Sequence, residues 1–125
     1  MHSGERKKSA GDDITERLLD FAVRVIKLVN VLPKTVVGRH IGGQLVRSGT
    51  SCGSNYEEAR GAESRADFVH KLGITLKEIK ESRFWLKVIS KSRIMKPEQI
   101  EKLIAECDEL SAIIAKSIIT AKSKR

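Results

Sequence analysis

The residues best suited to chemistry in this 125-residue chain are its basic ones. Lys77, Lys80, Arg83, Lys87 and Lys91 recur at intervals of three and four residues. At 100° per residue that spacing gathers them into an arc of about 120° on one helical face. Glu78 and Glu81 fall outside the arc. Earlier in the chain, Arg39 and Arg47 share a face with the small residues Gly43, Thr50 and Ser54. Cationic groups in a row follow a run of phosphates without reading bases, so these seven residues form a candidate RNA- or DNA-binding surface. The same pattern also describes an ordinary solvated helix face.

Other chemistry fits less well. His2, His40 and His70 are dispersed, and Asp67 stands three residues before His70. A carboxylate and imidazole at that spacing resemble half of a di-iron motif, but such bundles use two Glu-x-x-His pairs and two further inward carboxylates. Asp67 is moreover placed to cap a helix. No phosphate-binding glycine loop with its lysine, zinc-protease pair or nucleophile elbow is present. Ser48, Thr50, Ser51 and Ser54 have no histidine at helical spacing, and read as hydroxyls packed between close helices. Trp85 and Tyr56 sit among apolar neighbours, as core or interface anchors rather than base-stacking platforms. The expectation is a protein with no metal, no cofactor and no enzymatic activity.

Composition supports a polyanionic partner and limits it. The formal net charge is +8 and the pI about 9.7. Residues 34–93 hold twelve Lys or Arg against six Asp or Glu, so the basic character sits mid-chain. Hydrophobic content of 40% with only 4% aromatics predicts an aliphatic core. Cys52 and Cys107 lie on apolar sides of helical patterns and read as buried free thiols in a reducing compartment. No apolar run reaches the roughly 20 residues of a membrane span, and no signal-peptide core follows the basic N-terminus. These features predict a soluble cytoplasmic protein with no membrane partner.

Residues 38–60 must position the first basic pair. Ile41, Leu45, Ser48, Cys52, Tyr56 and Ala59 step by three or four residues and share one face, while Gly38, Gly42, Gly49 and Gly53 line an adjacent strip. Glycines aligned on a periodic segment predict a helix approached closely by another backbone, within the chain or between subunits. Each costs up to about 1 kcal/mol of helix propensity, which packing must offset.

Three more helices follow from similar seams. Asp12 and Asp13 mark the start of a first helix with Ile14, Leu18, Phe21, Val25, Leu28 and Leu32 inward, ended by Pro33; Ala22, Ile26 and Val29 widen its apolar stripe. Ser64 and Asp67 read as a capping box opening a third helix along Phe68, Leu72, Thr75, Ile79, Ser82, Leu86 and Ile89. Further apolar residues off that seam, Val69, Ile74, Leu76, Phe84, Trp85 and Val88, predict that this third helix lies centrally or also faces another subunit. Pro97 opens a fourth along Ile100, Leu103, Ile104, Cys107, Leu110, Ile114 and Ile118. Gly61 is placed to end the second helix. The fold class is all-α, an antiparallel up-down-up-down four-helix bundle over residues 12–121, with a disordered basic tail over 1–11 and a basic C-terminal tail over 122–125.

The run Gln44-Leu45-Val46-Arg47-Ser48, with Ser51, Ser54-Asn55-Tyr56 and Glu58-Ala59, followed by Phe68, Leu72 and Glu81, resembles the four-helix-bundle proteins often encoded in intervening sequences of bacterial 23S rRNA genes. The resemblance covers about residues 14–120. A more distant branch includes the accessory variability protein of diversity-generating retroelements, which works beside a reverse transcriptase. The resemblance implies a bundle that assembles as a cyclic homo-oligomer, commonly a pentamer, a reverse transcriptase as a further partner, and Gln44, Arg47, Asn55 and Glu58 as family-motif positions. Thr75, Lys77 and Glu78 depart from a stretch that is usually composed of smaller residues. The competing reading is a protein-interaction scaffold without a nucleic-acid role.

Overall fold

The glycine-bearing segment is a helix. In a computed structural model that describes residues 9–124, four helices follow one another: α1 (Ala10–Asn30), α2 (Val36–Arg60), α3 (Arg65–Lys91) and α4 (Pro97–Ser123), with no strand among the described residues. Most of the expected N-terminal tail, and Arg125, lie outside the described residues.

The helix starts follow from their caps. α1 begins two residues before Asp12, because Ser9 Oγ accepts the Asp12 N–H while the Asp12 carboxylate accepts the Ser9 N–H. That reciprocal pair satisfies two donors that a helix start leaves orphaned. Ser64 accepts the Asp67 N–H in half of the expected box, and Pro97 opens α4. Gly61 ends α2 as expected, at φ −92° and so without a left-handed turn. The left-handed residue is instead Arg93, at φ 57° just after α3. The Arg93 and Ile94 N–H groups donate back to the Ser90 and Ile89 carbonyls, the Schellman pattern usually built on glycine.

Every expected seam faces inward. Leu18, Phe21, Val25 and Leu28 of α1, all six predicted positions of α2, and Leu72, Thr75, Ile79, Ser82, Leu86 and Ile89 of α3 are buried, as are Ile100, Leu103, Cys107, Leu110 and Ile114 of α4. Both cysteines are free and buried. Ser48 and Ser82 bring hydroxyls to 2.9 Å across the α2–α3 seam, and Thr75 satisfies its hydroxyl on the Lys71 carbonyl.

Consecutive helices run antiparallel. Asp12 meets Arg60 while Val25 meets Gly49 and Val29 meets Gly42; Glu58 meets Lys71 while Ser48 meets Ser82; Arg65 meets the Lys124 carbonyl while Arg83 meets Asp108. α1 and α4 approach each other least of the paired helices, joined by Arg17, whose guanidinium forks onto Glu106 and reaches Glu109.

The glycine strip is used within the chain. A Cβ at Gly49 would lie 2.9 Å from Val25 Cγ1, and one at Gly42 3.0 Å from Val29 Cγ1. Gly53 packs on Leu18, and at Gly38 a Cβ would strike the Pro33 carbonyl oxygen. α1 therefore lies in a furrow kept open by Gly42 and Gly49. α3 lies centrally, packed on both α2 and α4, and Phe84 is its one exposed large hydrophobic residue among those described, whereas α1 leaves Leu19, Val23 and Ile26 uncovered at 55%, 42% and 42% exposure.

Candidate nucleic-acid interface

The seven candidate basic residues divide into two groups. Arg47 reaches from α2 to α3 and pairs with Glu78 and Glu81. Arg83 turns toward α4, its Nε 2.6 Å from Asp108 Oδ1. These two guanidinium groups bridge neighbouring helices. Lys77, Lys80, Lys87 and Lys91 are exposed on α3, and Arg39 is exposed near the start of α2. None of these five forms an ion pair among the described residues.

The lysine face owes its uniform sign to the acids beside it. Glu78 and Glu81 lie on the edge of α3 that faces α2, drawn there by Arg47. The Arg47 guanidinium holds the Glu81 carboxylate below its usual range, and the Trp85 indole N–H, donating at 3.2 Å, acts in the same direction. Both carboxylates are thus engaged on the α2 side of the helix. The outward face is left with four ammonium groups that form no ion pair among the described residues, although Glu101 of α4 borders Lys87 and Lys91, an arrangement in which phosphate contacts release counterions.

The motif positions make mostly internal bonds. Besides Arg47, Glu58 accepts from Lys71 Nζ at 2.7 Å, and the Asn55 amide donates to the Ser51 carbonyl one turn back. Gln44 is half-buried. Glu58 and Arg47 thus fasten α2 to α3 at two levels.

Sequence reasoning missed Phe84 as a surface group. It lies inside the lysine arc, 57% exposed, its ring edge-on to Trp85 with centroids 5.1 Å apart. Trp85 packs edge-on against His40 of α2 at 5.8 Å. The signal was present in the spacing, since Phe84 falls on the wheel between Lys77 and Lys80. Tyr56 is buried and Trp85 half-buried, as anchors should be.

Two other regions offer less. A cavity of about 660 Å³ near the start of α3 is lined by Ile14, Phe68 and Ile113 with Arg60 and Arg65. Those arginines are already engaged, by Asp12 and by the Lys124 carbonyl. Burial pushes the Cys52 thiol up to about 12 and raises Cys107 as well, which suppresses the thiolate needed for nucleophilic or metal chemistry. Among the described residues no group of three or more metal-ligating side chains comes together, Asp67 and His70 included, and no helix is long and apolar enough to cross a membrane.

The sequence profile of the family described as 23S rRNA-intervening sequence protein matches residues 12–116. Among solved structures, the chain is similar to a protein of unknown function from the S23 ribosomal protein family of Bacteroides thetaiotaomicron. The two are 34% identical with a TM-score of 0.79, over 86% of this chain and 96% of the other. No curated protein matches it.

Proposed function

Because the chain belongs to the 23S rRNA-intervening sequence protein family, we propose that it is a non-enzymatic, homo-oligomeric bundle that binds nucleic acid through phosphate contacts. The observation that carries this reading is the α3 face on which Lys77, Lys80, Lys87 and Lys91 stand exposed without an acidic partner among the described residues. Arg39 adds to it from α2, while Arg47 and Arg83 serve structure. Such a face attracts polyanions with little sequence preference, since phosphate contacts position and base contacts specify.

The subunits join through α1. Leu19, Val23 and Ile26, at i, i+4 and i+7, leave an apolar stripe uncovered on the monomer, and a second copy is the partner that buries it. Closed rings arise when such a contact is head-to-tail and its rotation closes, and five-fold closure is the form the family resemblance implies. Repeating the lysine face around a ring multiplies weak contacts by avidity.

Fluorescence anisotropy with labelled RNA and DNA at two salt concentrations tests the reading. Affinity is expected to fall steeply with salt, and a Lys80→Glu/Lys87→Glu/Lys91→Glu variant of unchanged helicity is expected to lose most binding and flatten the salt slope by about one unit per lost contact. Wild-type binding in the triple variant would leave the face as solvated surface, and a wild type that binds neither RNA nor DNA would favour the scaffold reading.

A further inference from the structure

The lysine face is not uniformly hydrophilic. Phe84 stands out from it into solvent, and beside that ring a groove of about 430 Å³ is lined by Phe84, Lys87, Val88, Lys91 and Ser92. Phe84 and Val88 supply its apolar lining, and Lys87 and Lys91 bring two ammonium groups to it. An exposed phenyl ring costs free energy in water, and this one is braced from behind. Trp85 packs on it edge-on, the indole N–H is fixed by Glu81, and His40 closes the far side. The ring is thus supported on one side and more than half exposed on the rest.

We infer that this surface recognises single-stranded nucleic acid, with a base stacked on Phe84 and flanking phosphates held by Lys80, Lys87 and Lys91. The inference rests on the nucleic-acid reading above and deepens it. Duplexes keep their bases stacked on one another, so an isolated aromatic group on a helix face gains nothing from them, whereas a single strand offers free π-faces to a stacking platform in a cationic groove. The four lysines supply the charge complementarity, and every base presents a π-face, so recognition is tolerant of sequence.

The test uses the full chain with a labelled oligouridylate and a duplex RNA of equal length, measured by anisotropy, together with fluorescence of Trp85, the only tryptophan. The wild type is expected to prefer the single strand and to show altered indole emission on binding it, because the stacked base arrives beside the ring that touches Trp85. Phe84→Ala is expected to weaken single-strand binding about tenfold or more while leaving duplex binding unchanged. Phe84→Leu, apolar but without a π-face, should fail like alanine, and Phe84→Trp should restore affinity. Phe84 is exposed, so these variants keep the core, which circular dichroism checks.

Unchanged single-strand affinity in Phe84→Ala, or leucine behaving as wild type, overturns the stacking inference while phosphate binding stands. Equal loss of single-strand and duplex binding with a smaller particle by light scattering also overturns it, and makes Phe84 a subunit contact. Failure of the wild type to bind either polymer overturns the parent reading itself.

Discussion

Arg47 is where the expected and observed chemistry part most clearly. By residue type and exposure it belongs to a phosphate-binding stripe, yet its guanidinium is spent on Glu78 and Glu81. A helical wheel reports direction around one helix and nothing of how far a long side chain reaches across a seam, so the pairing was not legible in the sequence. Neither was that of Arg83 with Asp108, whereas the exposure of Lys77, Lys80, Lys87 and Lys91 was. The Arg47 to Glu81 bond has a measurable signature. Glu81 is held below its usual value of 4.5, chiefly by Arg47. A depressed carboxylate contributes its stability fully above the ordinary value and loses it as pH falls through the lower folded one. The Trp85 indole donates to the same carboxylate, so its emission should change with a midpoint below pH 4.5, and Arg47→Ala should move that midpoint upward. A transition that ignores Arg47 would show that the pair does not form in solution.

At the scale of elements, the inward seams were readable because alternating spacings of three and four survive whatever the neighbours are. Helix ends were less so. Ser9 stands in a polar stretch that gave no apolar period to anchor a cap, and Arg93 takes a left-handed turn that sequence reasoning reserves for glycine. The glycine strip was legible as a close approach but not as an approach by α1, since one helix's pattern does not name its partner. Two substitutions separate packing from propensity. Gly49→Ala pushes a methyl onto the branched stem of buried Val25, and overpacking costs of about 1–3 kcal/mol outweigh a helix-propensity gain of about 1. Gly73→Ala meets nothing within 4 Å and should gain about 0.5–1 kcal/mol. Urea denaturation should therefore show opposite shifts in midpoint for two identical changes. Equal shifts would mean that α1 does not sit in the furrow.

For the whole molecule, four helices were legible from the chain, but the division of its surface was not. Exposed apolar side chains lie on α1 and also at Val31, Val36, Val37 and Ile119, and α3 is left with a charged face and one ring. An assembly that buries α1 and exposes α3 should appear in light scattering as a discrete oligomer of the wild type, reduced to monomer by Val23→Lys/Ile26→Lys with helicity kept. A wild-type monomer at micromolar concentration would end the ring proposal.

The order in which the helices pack has a consequence for how the molecule is made. Each helix finds its main partner in a neighbour along the chain, and the first and last helices approach each other least, with Arg17 bridging them among the described residues. Contacts so close in sequence favour rapid folding. As the ribosome extends the chain at roughly 5–20 residues per second, α1 meets its furrow as soon as α2 emerges, each later helix docks on the one before it, and the ion pairs of Arg17 must wait for the last helix to be synthesised.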